Sequence, residues 1–502
     1  MSRKHPLDLA IGEDWPDLST PQALQAFESI PFEDRIAARS TYEALRIGAS
    51  IDPGAPAIRF VPNADPDEAP IDFSHAQFFA RVTQAANAFH ALGVGPDDVV
   101  SFMLPLLPQA FYTLYGAEAA GISNPVNPLL EPYQLVEILR AAGTRVLVAL
   151  GPMPGSDIWE KVLRIRDEVP DLAAIVVVGG AGVATAGPVA AGSPLPARAG
   201  GTVPILDFDA LLGAQRSDAL ASGRTIAPGD TAAYFHTGGT TGTPKLVRHS
   251  HANQVYQAWV VTLMLREQPG DALLFGLPLF HVGGALTQGL ATLSSGGHLV
   301  VLSPAGWRSP AAQRNVWRLA GRYRPRSFTS VPTVMAAALH APADGVDLSS
   351  IERASGGGSA IPVAVGRGYT ERFGWPVLEV YGMTETSSVH TIAYLDRPIR
   401  LGSVGHPVPY SRVRGVKAGA DGRLGVGCAT DEIGVVAMAG PGVFSGYRSD
   451  KHNADAFVEP GWVNSGDLGR LDADGYLWIT GRAKDLVIRG GHNIDPQPIE
   501  EI

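Results

Sequence analysis

Three stretches of the 502-residue chain combine residue types and spacings that can do chemistry. The first is residues 234–245, YFHTGGTTGTPK. Gly238, Gly239 and Gly242 let backbone N–H groups curl around an anion. The hydroxyls of Thr237, Thr240, Thr241 and Thr243 add donors. Lys245 closes the run with a point charge suited to phosphate. The Walker A spacing GxxxxGK[ST] cannot be laid over it. A flexible Gly/Thr linker is the plainer alternative, but the joint density of glycines and hydroxyls favours phosphate. The second stretch is residues 377–388, VLEVYGMTETSS, an apolar strand running into Tyr381, Gly382, Met383, Thr384 and Glu385. It offers an aromatic face, a glycine, a hydroxyl and a carboxylate close together. Such a set can stack a base, admit a substrate and hold Mg2+ through Glu385. Glu385 can equally cap a following helix. The third is residues 461–482, GWVNSGDLGRLDADGYLWITGR. Asp467 follows Ser-Gly in a tight turn, where it can accept from two ribose hydroxyls or serve an ordinary Asx turn.

These residues need elements to carry them. Residues 99–104, 145–150, 175–178, 231–235 and 297–302 read as short apolar strands. Residues 108–120 read as a helix, as do 309–323, with Ser309 as N-cap and Pro310 in the first turn. Short apolar runs alternating with amphipathic ones predict parallel sheets covered by helices. The texture changes near Leu401, and the sequences around 419–422 and 472–475 read as hairpin turns. The expected organisation is an α/β body over 1–400, with two helix-covered sheets, then a β-rich subdomain over 401–481. Residues 482–502 begin a new pattern, and 498–502 read as a first helical turn, so a further domain is expected to be cut short there.

Composition narrows the function. Hydrophobic residues make 45% of the chain, which excludes wholesale disorder. The net charge of -10 argues against nucleic acid as a partner. The single cysteine, Cys428, excludes a disulfide framework and a cysteine-based zinc site, and suits a reducing cytoplasm. The uncharged stretches 172–197 and 272–307 are interrupted by Gly and Pro, so they read as soluble structure rather than spanning helices.

Together with LPLFHVGG at 277–284 and the run SGDLG…TGRAKDLVIRGG, the three stretches resemble the adenylate-forming acyl-CoA synthetase superfamily. Four separated motifs occur in that family's order, over about residues 41–502. The resemblance implies that Thr237 to Thr243 and Lys245 form a mobile loop over the ATP β- and γ-phosphates. It implies that Gly357, Gly358 and Ser359 border adenine, that Tyr381 packs against it and that Thr384 contacts the α-phosphate. Glu385 is implied as the Mg2+ ligand, Asp467 as the ribose ligand, and Arg482 as a further ribose or phosphate contact. Lys484 falls at the family's hinge, and Gly490 and Gly491 in a loop used for thioester formation. His281 is implied to border the acid's carboxylate; a buried, hydrogen-bonded histidine is the plainer alternative. Val282, Gly283, Gly284, Val331, Pro332, Gly382 and Met383 are then implied near an uncharged acyl pocket, which suits a fatty or aryl acid.

Two departures stand out. Gly238 replaces the family's usual hydroxyl residue, and Leu246 stands where glycine often follows the lysine. The family's adenylation lysine would lie beyond residue 502, so slow adenylation is expected of this chain alone. The expected activity is an ATP-dependent acyl-CoA synthetase that uses ATP, Mg2+ and CoA and forms an acyl-AMP intermediate. An acyl-AMP ligase serving a separate carrier protein and a non-catalytic nucleotide-binding protein are the alternatives. A homo-oligomer is compatible with either. Arg314, Arg318 and Arg322 repeat every four residues, with Arg324 and Arg326 following. They read as a solvated helix face, or as a dock for the CoA 3′-phosphate.

Overall fold

A computed structural model describes residues 15–179, 203–237, 245–419 and 423–483, and the backbone of two short strands beyond them. Its largest sheet has seven strands, in the order Ile205–Asp207, Ala174–Val178, Thr144–Leu150, Val99–Met103, Ile122–Pro125, Thr231–Thr237 and Lys245–Ser250. All neighbours are parallel except the last two, which form an antiparallel pair. The reason is visible in the strands. Ala174–Val178 reads AIVVV with every residue buried, the pattern of a strand covered on both faces. The covering helix Pro108–Ala120 is buried almost all round and starts with proline at its first turn, where the missing N–H costs nothing.

Two further sheets lie in the body. One orders Ala272–Phe275, His298–Leu302, Pro56–Val61 and Ile71–Ser74. The other orders Ser327–Ser330, Arg353–Gly357, Val377–Met383, Ser388–Ile392 and His406–Pro407. Ala272–Phe275 runs beside Ser327–Ser330 without pairing to it, so these two sheets form one interrupted layer. A six-stranded, wholly antiparallel sheet follows, built from strands between Arg412 and Arg482. Trp462–Leu471 and Leu477–Arg482 make a hairpin across the turn expected at 472–475. Val487–Arg489 and His492–Ile494 form a separate two-stranded ladder. Among the described residues, no helix is long and apolar enough to cross a membrane.

The helix expected over 309–323 is two helices, Pro310–Arg314 and Val316–Tyr323. Ser309 caps the first as expected. Asn315 leaves helical geometry between them (φ −95°, ψ 6°) and its side-chain amide donates to the Ala64 carbonyl at 3.0 Å. A tertiary hydrogen bond thus overrides local helical propensity. The arginines here are largely spent on the protein itself. Arg318 pairs with Asp67 at 2.7 Å, and Arg322 donates to the Pro66 and Glu68 carbonyls. Arg324 pairs with Asp347, and Arg326 with Asp271 and Glu352. These contacts hold loops together and disfavour the phosphate-dock reading.

Candidate active site

The carboxyl ends of Ser327–Ser330, Arg353–Gly357 and Val377–Met383 open into one cleft of ≈ 1520 Å³. Ligands of parallel sheets commonly bind beyond such strand ends. The antiparallel sheet contributes Ser465, Gly466 and Arg482 to the same walls.

At one end stand Gly357, Gly358, Ser359 and Tyr381. The Tyr381 hydroxyl donates to Asp467 Oδ2 at 2.7 Å, and Arg482 Nε lies 3.2 Å from Asp467 Oδ1. Asp467 and Arg482 are direct cross-strand partners, so the hairpin itself sets that pair. Burial pushes the Asp467 carboxyl above the ordinary range, while Tyr381 and Arg482 pull against it. A carboxylate has about four lone-pair sites, so Asp467 can still accept from a diol while holding these partners.

Beyond Tyr381 the chain turns sharply through Thr384–Thr386. Ser387 and Ser388 both take positive φ, 59° and 116°. The returning Ser388 carbonyl passes so close that a Cβ on Gly382 would lie 1.6 Å from it, so only glycine fits. This turn buries Glu385, and burial raises its pKa. The Tyr447 hydroxyl donates to Glu385 Oε1 at 2.6 Å and opposes that rise, as does the charge of Lys245. His249, fully buried, donates from Nε2 to the Thr384 carbonyl at 2.7 Å. Thr237 and Lys245 line the cleft here, with Lys245 Nζ 5.0 Å from the centre of the Tyr447 ring.

Among the described residues, no group of three or more His, Cys, Asp or Glu is placed to hold a metal ion. One buried carboxylate does not make a resident metal cage. It does suit Mg2+, which is usually held by one or two carboxylates plus substrate phosphates. Glu385 beside Lys245 and Thr384 fits that use.

The other end is more apolar. Val282, Gly283, Gly284, Val331, Gly382 and Met383 line it, with Leu104, Leu106, Leu277 and Phe280. Residues Gly283–Leu290 form a π-helix, a wide turn frequent at functional sites. Gly284 lets it approach the preceding loop, since a Cβ there would lie 2.3 Å from the Pro278 carbonyl. His281 precedes this helix and is exposed to the cleft, whose walls desolvate it and lower its pKa. Phe280 stacks on His236, ring centres 6.3 Å apart. His236 Nε2 accepts from the Asn127 N–H at 3.3 Å, which fixes the neutral imidazole as the Nδ1–H tautomer. Burial, aided by nearby His281, lowers its pKa to about 4.

The structure gathers Thr237, Lys245, His281, Tyr381, Thr384, Glu385 and Arg482 around one cleft, with Asp467 immediately behind Tyr381. Pro332 is buried at the start of its helix and does not line the cleft; Thr333 and Val334 do. Gly238, Gly239, Thr240, Thr241, Gly242, Thr243, Lys484, Gly490 and Gly491 lie outside the described residues. The cleft wall also carries charge at Asp157, Arg308, Lys451 and Asp455, none of which the sequence reading singled out. It also missed Tyr447, His249 and His236. A tyrosine after Gly446 and a histidine inside an apolar strand were the available signals, and neither is specific.

Residues 48–448 match the AMP-binding enzyme family. The chain is 35% identical over 482 residues to a marinolic acid–CoA ligase of Pseudoalteromonas sp. (strain SANK 73390), covering 95% of this chain and 71% of that protein. It is 32% identical over 439 residues to a sulfoacetate–CoA ligase of Cupriavidus necator, covering 86% of this chain and 77% of that one. Its fold superimposes on the ATP-bound crystal structure of MatB from Rhodopseudomonas palustris with a TM-score of 0.75 at 25% identity, over 91% of this chain and 82% of that one. A family match spanning most of the chain, relatives above 30% identity and a shared fold agree: this protein belongs to the AMP-binding enzyme family.

Proposed function

We propose that this protein is an AMP-forming acid–CoA ligase: a carboxylic acid and MgATP give acyl-AMP and pyrophosphate, and CoA then gives the thioester and AMP. The observation that carries the reading is the single cleft that joins Tyr381, Asp467 and Arg482 to Glu385, Thr384 and Lys245, and then to an apolar branch. The CoA-ligase names of the relatives support it. In the first step an acid oxygen attacks the α-phosphorus and pyrophosphate leaves. Both reactants are anionic, and like unit charges 4 Å apart repel by about 4 kcal/mol at an effective dielectric near 20. Lys245 and Thr384 would offset that repulsion. Mg2+, held through Glu385, would supply further neutralisation of the phosphates. Asp467 and Arg482 would grip the ribose while Tyr381 packs against adenine. Gly357, Gly358 and Ser359 would border adenine. In the second step the thiol adds to the acyl carbonyl and AMP leaves. The acyl-adenylate is prone to hydrolysis, and the apolar walls near His281 serve to keep water out.

The apolar branch supports a fatty or aryl acid. Arg308 in the cleft wall means dicarboxylic acids belong in any test. A cytoplasmic setting, a small-molecule acid, ATP and CoA as partners with homo-oligomerisation left open, and the division into a body, a β-rich subdomain from about residue 401 and a hinge near Lys484 complete the reading. The deciding experiment measures acid-dependent pyrophosphate release across C2–C16, aryl and dicarboxylic acids, with CoA consumption followed in parallel. Release coupled to CoA loss is expected. Release without CoA loss would favour a carrier-protein acceptor, and ATP binding with no release for any acid, in this chain and in a version extended through the family's C-terminal lysine, would sink the ligase reading.

A further inference from the structure

We propose that Tyr447 is a positioning residue that clamps the Glu385 carboxylate for a phosphate-bound divalent cation. The inference rests on the function proposed above. The phenol donates to Oε1 at 2.6 Å, which leaves Oε2 as the oxygen for a cation. Both residues are almost wholly buried, Glu385 with 5% and Tyr447 with 6% of its surface exposed, so neither rotates at little cost. The other face of the arrangement is Lys245, whose Nζ sits 5.0 Å from the Tyr447 ring centre. His452 meets the same ring edge-on, centres 6.0 Å apart.

The backbone holds Tyr447 in this place from three sides. It forms an antiparallel bridge with Val247, in the strand that begins at Lys245. Arg448 N donates to the Leu246 carbonyl at 2.9 Å, and Tyr447 N donates to Asn453 Oδ1 at 2.8 Å. Phe444 N donates to the Glu385 carbonyl at 2.9 Å. The phosphate-side strand, the Glu385 turn and residues 444–453 therefore meet at one phenol ring.

A neutral donor suits this role. A lysine or arginine in the same place would neutralise Glu385 and compete with the cation. A phenol orients the carboxylate and leaves its charge intact. Partners that orient a ligating carboxylate typically alter metal affinity by about 10–100-fold when removed.

The test uses Mn2+ as the probe, with binding of Mn–ATP followed by electron paramagnetic resonance. Tyr447→Phe keeps the ring beneath Lys245 and removes only the hydroxyl. It should weaken Mn–ATP binding about tenfold or more, while binding of ATP in EDTA stays within about twofold. In a Glu385→Gln background the same substitution should have no further effect, because the clamped charge is already gone. Unchanged Mn–ATP affinity in Tyr447→Phe overturns the proposal. So does an equal loss in the Glu385→Gln background, which would mark a merely structural tyrosine. Should Tyr447→Phe fail to fold, Asn453→Ala, which releases the Tyr447 backbone and leaves Glu385 untouched, must show a selective loss of the same kind. Acid-dependent pyrophosphate exchange is scored separately. Exchange with an unaltered Mn–ATP affinity sinks the clamp alone, and a clamp effect without exchange for any acid sinks the ligase reading alone.

Discussion

The end of the cleft proposed for the nucleotide and the end proposed for the acid are built on opposite principles. At the nucleotide end, side chains are tied to one another: Tyr381 to Asp467, Asp467 to Arg482, and Tyr447 to Glu385. At the acid end the shape comes from missing side chains at Gly283, Gly284 and Gly382, and from a π-helix. Charge recognition needs donors and acceptors at fixed places, and a hydrogen-bonded network supplies that rigidity. An apolar ligand needs volume, and the backbone itself can be carved to provide it.

This contrast can be broken by experiment. Glu385→Ala should lower acid-dependent ATP–pyrophosphate exchange by about 10³-fold, an effect of the size seen when a charge-stabilising group is lost, with little change in thermal stability. A small effect would show that the buried carboxylate is structural. Gly284→Ala should act in the opposite sense, costing about 3 kcal/mol of folding stability in urea unfolding, because its Cβ meets a backbone carbonyl that cannot step aside. If it folds normally and only loses acid binding, the acid end is softer than its packing implies.

Among the polar ties that reach the acid end is the hydrogen bond from Asn127 to His236. With a folded pKa of about 4, below the ordinary value of 6.5, His236 is neutral in the folded chain while the unfolded chain takes up a proton first. Its contribution is therefore present above pH 6.5 and is lost as pH falls towards 4. Because His236 is only partly buried, the loss should be about 1–2 kcal/mol. It would be measured as the stability of wild type minus that of His236→Gln at pH 7.5 and at pH 4.5. A difference that does not move with pH rules it out. The smallest effect is expected for Gly283→Ala, where a Cβ has only Leu277 Cδ1 nearby, at 3.9 Å. It should leave folding intact and shift the ratio of kcat/KM between bulky and slim acids about tenfold, the worth of a methylene or so in a pocket. An unchanged ratio would place the acid elsewhere.

Much of the grouping at the proposed nucleotide end was legible in the chain. Tyr381, Thr384 and Glu385 lie within one strand end and its turn, and Asp467 and Arg482 on one hairpin, so local sequence carries them. The parallel sheets were legible too, since runs such as AIVVV have few other stable settings. Tyr447 was not, because it reaches Glu385 from 62 residues away. The arginine periodicity was read correctly as a helical pattern, yet the Ala64 carbonyl took Asn315 and split the helix. Pro332 shares a segment with Val331 but points into the core instead of the cleft. By itself, then, the sequence determined the family of this protein, because the family's motifs compress several polar groups into short, recognisable runs. Only the tertiary structure decided which groups hold those runs in register and how much room the acid has. Both depend on contacts between distant segments, whose free energy appears only once the chain has closed upon itself.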